Sequence, residues 1–394
     1  MKLIFLFLSV CVSCFLNVSP ILIVSADSGE SNKIVNELNE NVVNGLSNLD
    51  FGELDNYLND VSNINFFNSD LTFFEVVKSV AVGDYFTNYS SISDFLFSFL
   101  FNEFKLMVPI IFMVIAIAIL SSVLNLLKGN SSSGVSSLIH FVCFSIIVII
   151  ISNLITNVVS VTKGAIDNMT GQMSIIFPIM LTLLTAVGGV SSVSIYKPLV
   201  SILAQGVSIL FSKILFPVFI FSFVFTVVGN LSSSIKLDKF TDLFSSLFKW
   251  TIGITFTLFG TILTLQGISA GRFDSISIKA TKFAVKSYIP LIGGYLSDGF
   301  DLILCSSIII KNAVGIVGLF LMMLTILSPI IKILVVKFSM QIISAILQPI
   351  GENKISNFSA GCGKILVYPI VIMLGLAFMY LLSVGLIMIT ANVI

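Results

Sequence analysis

Few side chains in this 394-residue chain are of a type that does chemistry, and their spacing argues against most of the chemistry they could do. His140 is the only histidine, and no further ligands stand near it at metal-binding spacing. Cys11 and Cys14 lie close to the N-terminus, while Cys143, Cys305 and Cys362 stand alone in apolar surroundings. Neither a zinc site nor a disulfide framework fits those spacings, and the isolated thiols read as small buried hydrophobes. The chain has no phosphate-binding glycine loop, nucleophile elbow or paired-histidine metalloprotease motif. We therefore assign no catalytic, cofactor-binding or metal residues and expect no enzyme. What remains is a set of polar groups inside apolar runs: Lys213, Asp298, Asp301, Lys311 and Asn312. A charge at the centre of a bilayer costs upwards of ~2.5 kcal/mol, so each must face protein, water or the interface. Asp301 and Lys311 are separated by about 15 Å along a helix. Too far apart to pair within one helix, they can pair between subunits or line a polar path.

The elements that carry these groups are set by an unusual composition. Hydrophobic residues make up 56% of the chain and charged ones 10%, against roughly 25% charged in soluble domains. Mean hydropathy is +1.09. A net charge of zero hides a segregation: residues 27–104 hold thirteen acidic residues against two lysines, and the remainder is correspondingly basic. The first 26 residues have the form of a signal peptide, with Lys2, an apolar core and Val24-Ser25-Ala26 before Asp27. Residues 27–104 alternate apolar positions with Asn, Asp, Ser and Glu, which predicts short amphipathic helices. At this charge density they make a poor core of their own, so the acidic extracytoplasmic segment is expected to pack on the membrane body or on a partner.

From residue 105 onward the pattern is that of an all-α polytopic membrane protein with about seven (six to eight) transmembrane helices plus amphipathic interfacial ones. Spans are expected at about 106–127, 136–160, 174–195, 199–229, 250–270, 302–327 and 366–391, with 329–350 interfacial or a further span. Residues 272–288 form a basic amphipathic helix, with Lys279, Lys282 and Lys286 on one face and Arg272 at its start. Such a helix suits the headgroup plane, and the positive-inside rule places it in the cytoplasm, opposite the acidic segment. Pro290, Gly293, Gly294 and Gly299 predict a bend or shallow re-entrant element over 289–301. Membrane lipid is an expected partner and nucleic acid is not.

The run Lys279-Ala280-Thr281-Lys282-Phe283-Ala284-Val285-Lys286, then Ile289-Pro290-Leu291-Ile292-Gly293-Gly294-Tyr295-Leu296-Ser297-Asp298 and Ile310-Lys311-Asn312-Ala313-Val314-Gly315, resembles the stage III sporulation protein AE family of endospore-forming Firmicutes. The architecture agrees over the whole chain, and the sharp match covers about 272–318. The resemblance implies a mother-cell membrane subunit of an assembly that meets the forespore-side protein Q across the intermembrane space. It further implies support of late forespore gene expression through a channel or feeding tube, with other stage III sporulation membrane proteins as partners and no cofactor. A self-sufficient secondary transporter is the alternative. Against it stand the missing repeat symmetry and the large acidic segment.

Overall fold

The computed structural model describes residues 29–62, 72–82, 90–127, 133–202, 206, 208–231, 237–288 and 293–390. The expected leader, and residues 289–292 of the expected bend, lie outside them. Every element among the described residues is helical.

The acidic segment contributes α1 (Gly29–Ser47), α2 (Gly52–Ser62) and α3 (Phe73–Val82). Each forms where apolar residues recur at helical spacing, and those residues, Val42 and Leu46, Leu54 and Leu58, Phe73 and Val77, are buried. Thr72 and Glu75 make a reciprocal cap at the start of α3. The Thr72 N–H donates to Glu75 Oε2 at 2.9 Å and the Glu75 N–H to Thr72 Oγ1 at 3.3 Å. The Phe73 N–H donates to Asp55 Oδ1 at 2.6 Å, which ties α3 to α2. These helices share the core of the body: Gly45 of α1 lies against Ile310, and Tyr57 of α2 against Gly171.

The body comprises α4 (Ser90–Leu127), α5 (Ser133–Ala186), α6 (Val190–Ser201), α7 (Phe216–Leu231), α8 (Asp238–Tyr288), α9 (Gly293–Ile350), α10 (Asn353–Ile365) and α11 (Val367–Ile389). A π-helical turn, Phe211–Leu215, leads into α7. At the centre stands α9, with α5 and α11 antiparallel to it on two sides. The Gln172 Nε2 of α5 donates to Thr325 Oγ1 of α9 at 2.8 Å. Further along, Gly318 of α9 lies between Ile176 and Tyr380, and Gly315 between Met180 and Met388. Phe221, Phe225, Phe240 and Phe244 zip α7 to α8. Ring contacts of Phe248 with Tyr368 and of Phe256 with Phe378 run α8 parallel to α11.

Among the described residues, six helical stretches are long and apolar enough to cross a membrane: Phe97–Leu124, Leu138–Ala186, Lys213–Asn230, Lys239–Leu265, Gly299–Ile350 and Asn353–Ile389. The protein is an all-α multi-pass membrane protein. Several helices join segments that hydropathy separates. The polar stretch around Lys163 and Asp167, expected between two spans, is continuous helix in the 54-residue α5. Residues 329–350 continue 302–327 within the 58-residue α9, and 293–301 form its first turns instead of a re-entrant bend. Residues 272–288 likewise prolong α8. In each case the backbone hydrogen bonds are kept within the helix, so polar side chains inside it do not end it.

The chain turns at Gly188, whereas residues 196–198, between the spans expected at 174–195 and 199–229, do not break the helix. Gly188 takes φ +89°, which favours glycine, and the Tyr196 stretch stays helical. Because α8 runs parallel to α11, and α11 ends beside Lys311, residues 272–288 project at the same end of the bundle where α1 meets Ile310.

Candidate functional site

Among the described residues, Lys311 is the one lysine in the group of largest fully buried side chains. The apolar face of α9 carries it into the bundle, flanked by Ile310 and Ala313, which are also buried. Its Nζ donates to the main-chain carbonyl of Thr390 at 2.5 Å. Thr390 follows the last turn of α11 and leaves it with ψ 135°. The carbonyls at a helix C-terminus lack intrahelical donors and carry the negative end of the macrodipole. A buried ammonium there satisfies an orphan acceptor and is itself stabilised. Thr390 also binds from its side chain: Oγ1 donates to the Leu386 carbonyl at 2.8 Å and lies 2.9 Å from Tyr196 Oη. Three helices, α6, α9 and α11, thus close on one residue.

Asn312 follows Lys311, and its Oδ1 is buried with no hydrogen-bond partner among the described residues. Asp301 sits lower on α9, partly buried. The Asp298 side chain lies outside the described residues, as do those of Arg272, Lys282 and Lys286; Lys279 is exposed. The structure therefore brings Lys311 to Thr390 and Tyr196, and does not bring Asp301 to Lys311.

Deeper in the same seam, Gln172 Oε1 and Tyr380 Oη are buried with no hydrogen-bond partner among the described residues. An unpaired buried hydroxyl costs about 1–3 kcal/mol. Tyr380→Phe is accordingly expected to raise the thermal unfolding temperature in detergent, by roughly 1 kcal/mol of stability. A lower unfolding temperature would show that the hydroxyl has a partner in the assembled protein.

The opposite end of the bundle holds the second polar contact. His140 Nε2 lies 3.5 Å from Glu352 Oε2, an ion pair when the imidazole is protonated. Glu352 is buried in the turn between α9 and α10, and His140 stacks on Phe144, which in turn meets Phe358. The sequence favours an interfacial His140 with a hydrogen-bond partner but does not say which residue that is. The available signal was Glu352 itself, the one acidic residue after Asp301. Tyr196, Thr390, Gln172 and Thr325 carry no such signal, because hydroxyls and amides on apolar helices are common and only packing selects which of them meet. Among the described residues no group of three or more His, Cys, Asp or Glu could hold a metal.

Two comparisons bear on identity. The family model for stage III sporulation protein AE matches residues 71–391. Stage III sporulation protein AE of Bacillus subtilis (strain 168) is 26% identical over 298 residues, covering 75% of each chain. No solved structure matches. The matched region takes in the whole helical body, from α3 through the Lys311 seam to Thr390, and on that ground the chain belongs to the stage III sporulation protein AE family, with a role in sporulation.

Proposed function

We propose that this protein is a non-enzymatic membrane subunit of the trans-envelope channel complex that links mother cell and forespore. In this reading it sits in the mother-cell membrane facing the forespore and supports late forespore gene expression after engulfment. Other stage III membrane proteins of the same assembly are its direct partners, and the forespore-side protein Q an indirect one. The family membership supports the setting. The observation that carries the subunit role is the docking of α1, α2 and α3 onto α5 and α9. The acidic, water-compatible helices are thereby fixed to the membrane body as one unit, presenting Glu37, Glu40 and Glu53 outward. A rigidly held polar surface on a membrane base suits assembly with other subunits. A permease that works alone has no evident need of it.

Affinity purification of the tagged full chain from cells sampled after engulfment tests this. The other stage III membrane proteins are expected to co-purify in mild detergent, and protein Q after cross-linking. A chain that purifies alone, and moves a solute when reconstituted alone in vesicles, would instead be a transporter.

A further inference from the structure

Lys249 and Trp250 stand side by side on the exposed face of α8, and a cleft of about 510 Å³ opens beside them. Gly253, Ile254, Thr257 and Leu258 complete its lining. A Cβ added at Gly253 would meet nothing within 4 Å, so the groove is open where the helix turns past Trp250. Ring contacts fix the level of this cleft along the bundle. Phe248 stacks on Tyr368, which puts Lys249 level with the first turn of α11. Phe221 and Phe225 of α7 meet Phe244 and Phe240 of α8, so these two helices run antiparallel. Lys213 precedes Phe221 by eight residues and therefore comes level with Ile252, less than a turn from Lys249. It is held, exposed, in the π-helical turn that leads into α7. Lys364, also exposed, lies four residues before Tyr368. Three exposed lysines from three elements thus gather at one level.

That level is where the apolar part of α8 begins. From Trp250 to Arg272 the helix runs twenty-two residues, about 33 Å, which matches a hydrocarbon core of roughly 30 Å. Ile254, Leu258, Ile262 and Leu265 are exposed along it. Thr257, Thr261 and Thr264, exposed among them, donate their hydroxyls to the carbonyls of Gly253, Thr257 and Gly260 at 2.7–2.8 Å, so these donors need no water. Lys249 and Trp250 accordingly sit where headgroups meet hydrocarbon. A lysine there extends its ammonium to phosphate, and an indole bridges the apolar and wet layers.

We infer that this cleft seats one anionic phospholipid, with its phosphate between Lys249 and Lys213, its glycerol against Trp250 and an acyl chain along Gly253 and Leu258. Charge complementarity selects the headgroup, since no acidic side chain lines the cleft. The apolar continuation past Ile254 selects a lipid over a free anion. The same placement gives Lys213, a charge inside an apolar run, the interface it requires. The inference needs only a chain inserted in a membrane and does not depend on the channel-subunit reading.

Trp250 is the sole tryptophan of the chain, so its fluorescence reports this site alone. The purified full chain is reconstituted in vesicles of phosphatidylcholine that contain increasing fractions of lipid brominated on its acyl chains, either phosphatidylglycerol or phosphatidylcholine. Brominated phosphatidylglycerol is expected to reach half-maximal quenching at about one-fifth the fraction that phosphatidylcholine needs, or less, given what one lysine contributes near anionic lipid. Lys213→Gln together with Lys249→Gln is expected to erase the preference and leave quenching by phosphatidylcholine unchanged. Equal quenching of the wild type by the two lipids would overturn the inference, because Trp250 then meets ordinary boundary lipid. An absence of quenching by either would also overturn it, by showing that protein covers the cleft. A preference that survives the double substitution would overturn the role of the lysines. Inorganic phosphate in the buffer is expected to change nothing, and displacement of brominated phosphatidylglycerol by it would make this a free-anion site. Should the double variant accumulate poorly, the wild type still decides: its preference must fall as ionic strength rises, and a salt-independent preference would overturn the charge argument.

Discussion

Lys311→Met is expected to leave the chain inserted in the membrane and yet weaken it at one end of the bundle. The substitution removes a charge, which favours insertion. It also strips the donor from the Thr390 carbonyl, now 2.5 Å from Lys311 Nζ and buried at the end of α11. Leaving that acceptor unsatisfied costs about 1–3 kcal/mol, and the lost charge–dipole term adds to it. Thermal unfolding of the purified variant in detergent should show the loss, and sporulation should fail after engulfment at normal protein level. Thr390→Val supplies the control. It keeps the carbonyl that Lys311 uses and removes the Oγ1 contacts with Tyr196 and the Leu386 carbonyl, so its effect should be smaller than that of Lys311→Met. Wild-type unfolding together with normal spore yield for Lys311→Met would remove this residue from both stability and function.

The second large effect is expected at Gly318, where α5, α9 and α11 meet. A Cβ added there would stand 2.9 Å from Ile176 Cδ1 and 3.1 Å from Tyr380 Oη. Helices in a membrane associate through close packing and not through release of water, so small residues sit where backbones must approach. Gly318→Ala asks Ile176 and the Tyr380 hydroxyl to give by a few tenths of an ångström and should be the milder change. Gly318→Leu must push α5 or α11 away from α9. It should cost at the upper end of the roughly 1–3 kcal/mol typical of overpacking, seen as reduced accumulation and a lower unfolding temperature. If Gly318→Leu accumulated and unfolded like wild type, the packing of α5, α9 and α11 described above would be wrong. Ile262→Leu, on the exposed face of α8, should be silent in the same assay.

Hydrophobicity and charge alone placed this chain in a membrane, because 10% charged residues cannot solvate a protein of this length. They also separated the acidic helices from the apolar body, since period-3.6 apolar positions such as Val42, Leu46, Leu54 and Leu58 declare a buried stripe whatever they are buried against. The run from Lys279 to Gly315 was enough to suggest the family that the comparison over residues 71–391 then showed. Helix ends were less legible. Hydropathy registers Lys163, Asp167 and Lys332 as interruptions, but a helix already hydrogen-bonded along its axis continues through them, as α5 and α9 do. The partners of the buried polar groups were not legible at all. Lys311 and Thr390 are far apart in sequence, and they meet only because α11 returns antiparallel along α9 and stops level with Lys311. The same holds for Tyr57 on Gly171 and for His140 beside Glu352. The apolar periodicity says which face of each helix is covered. It is blind to which helix covers it, because leucine and isoleucine pack on any apolar neighbour, and that choice is made by the fit of specific shapes such as Gly318 against Tyr380.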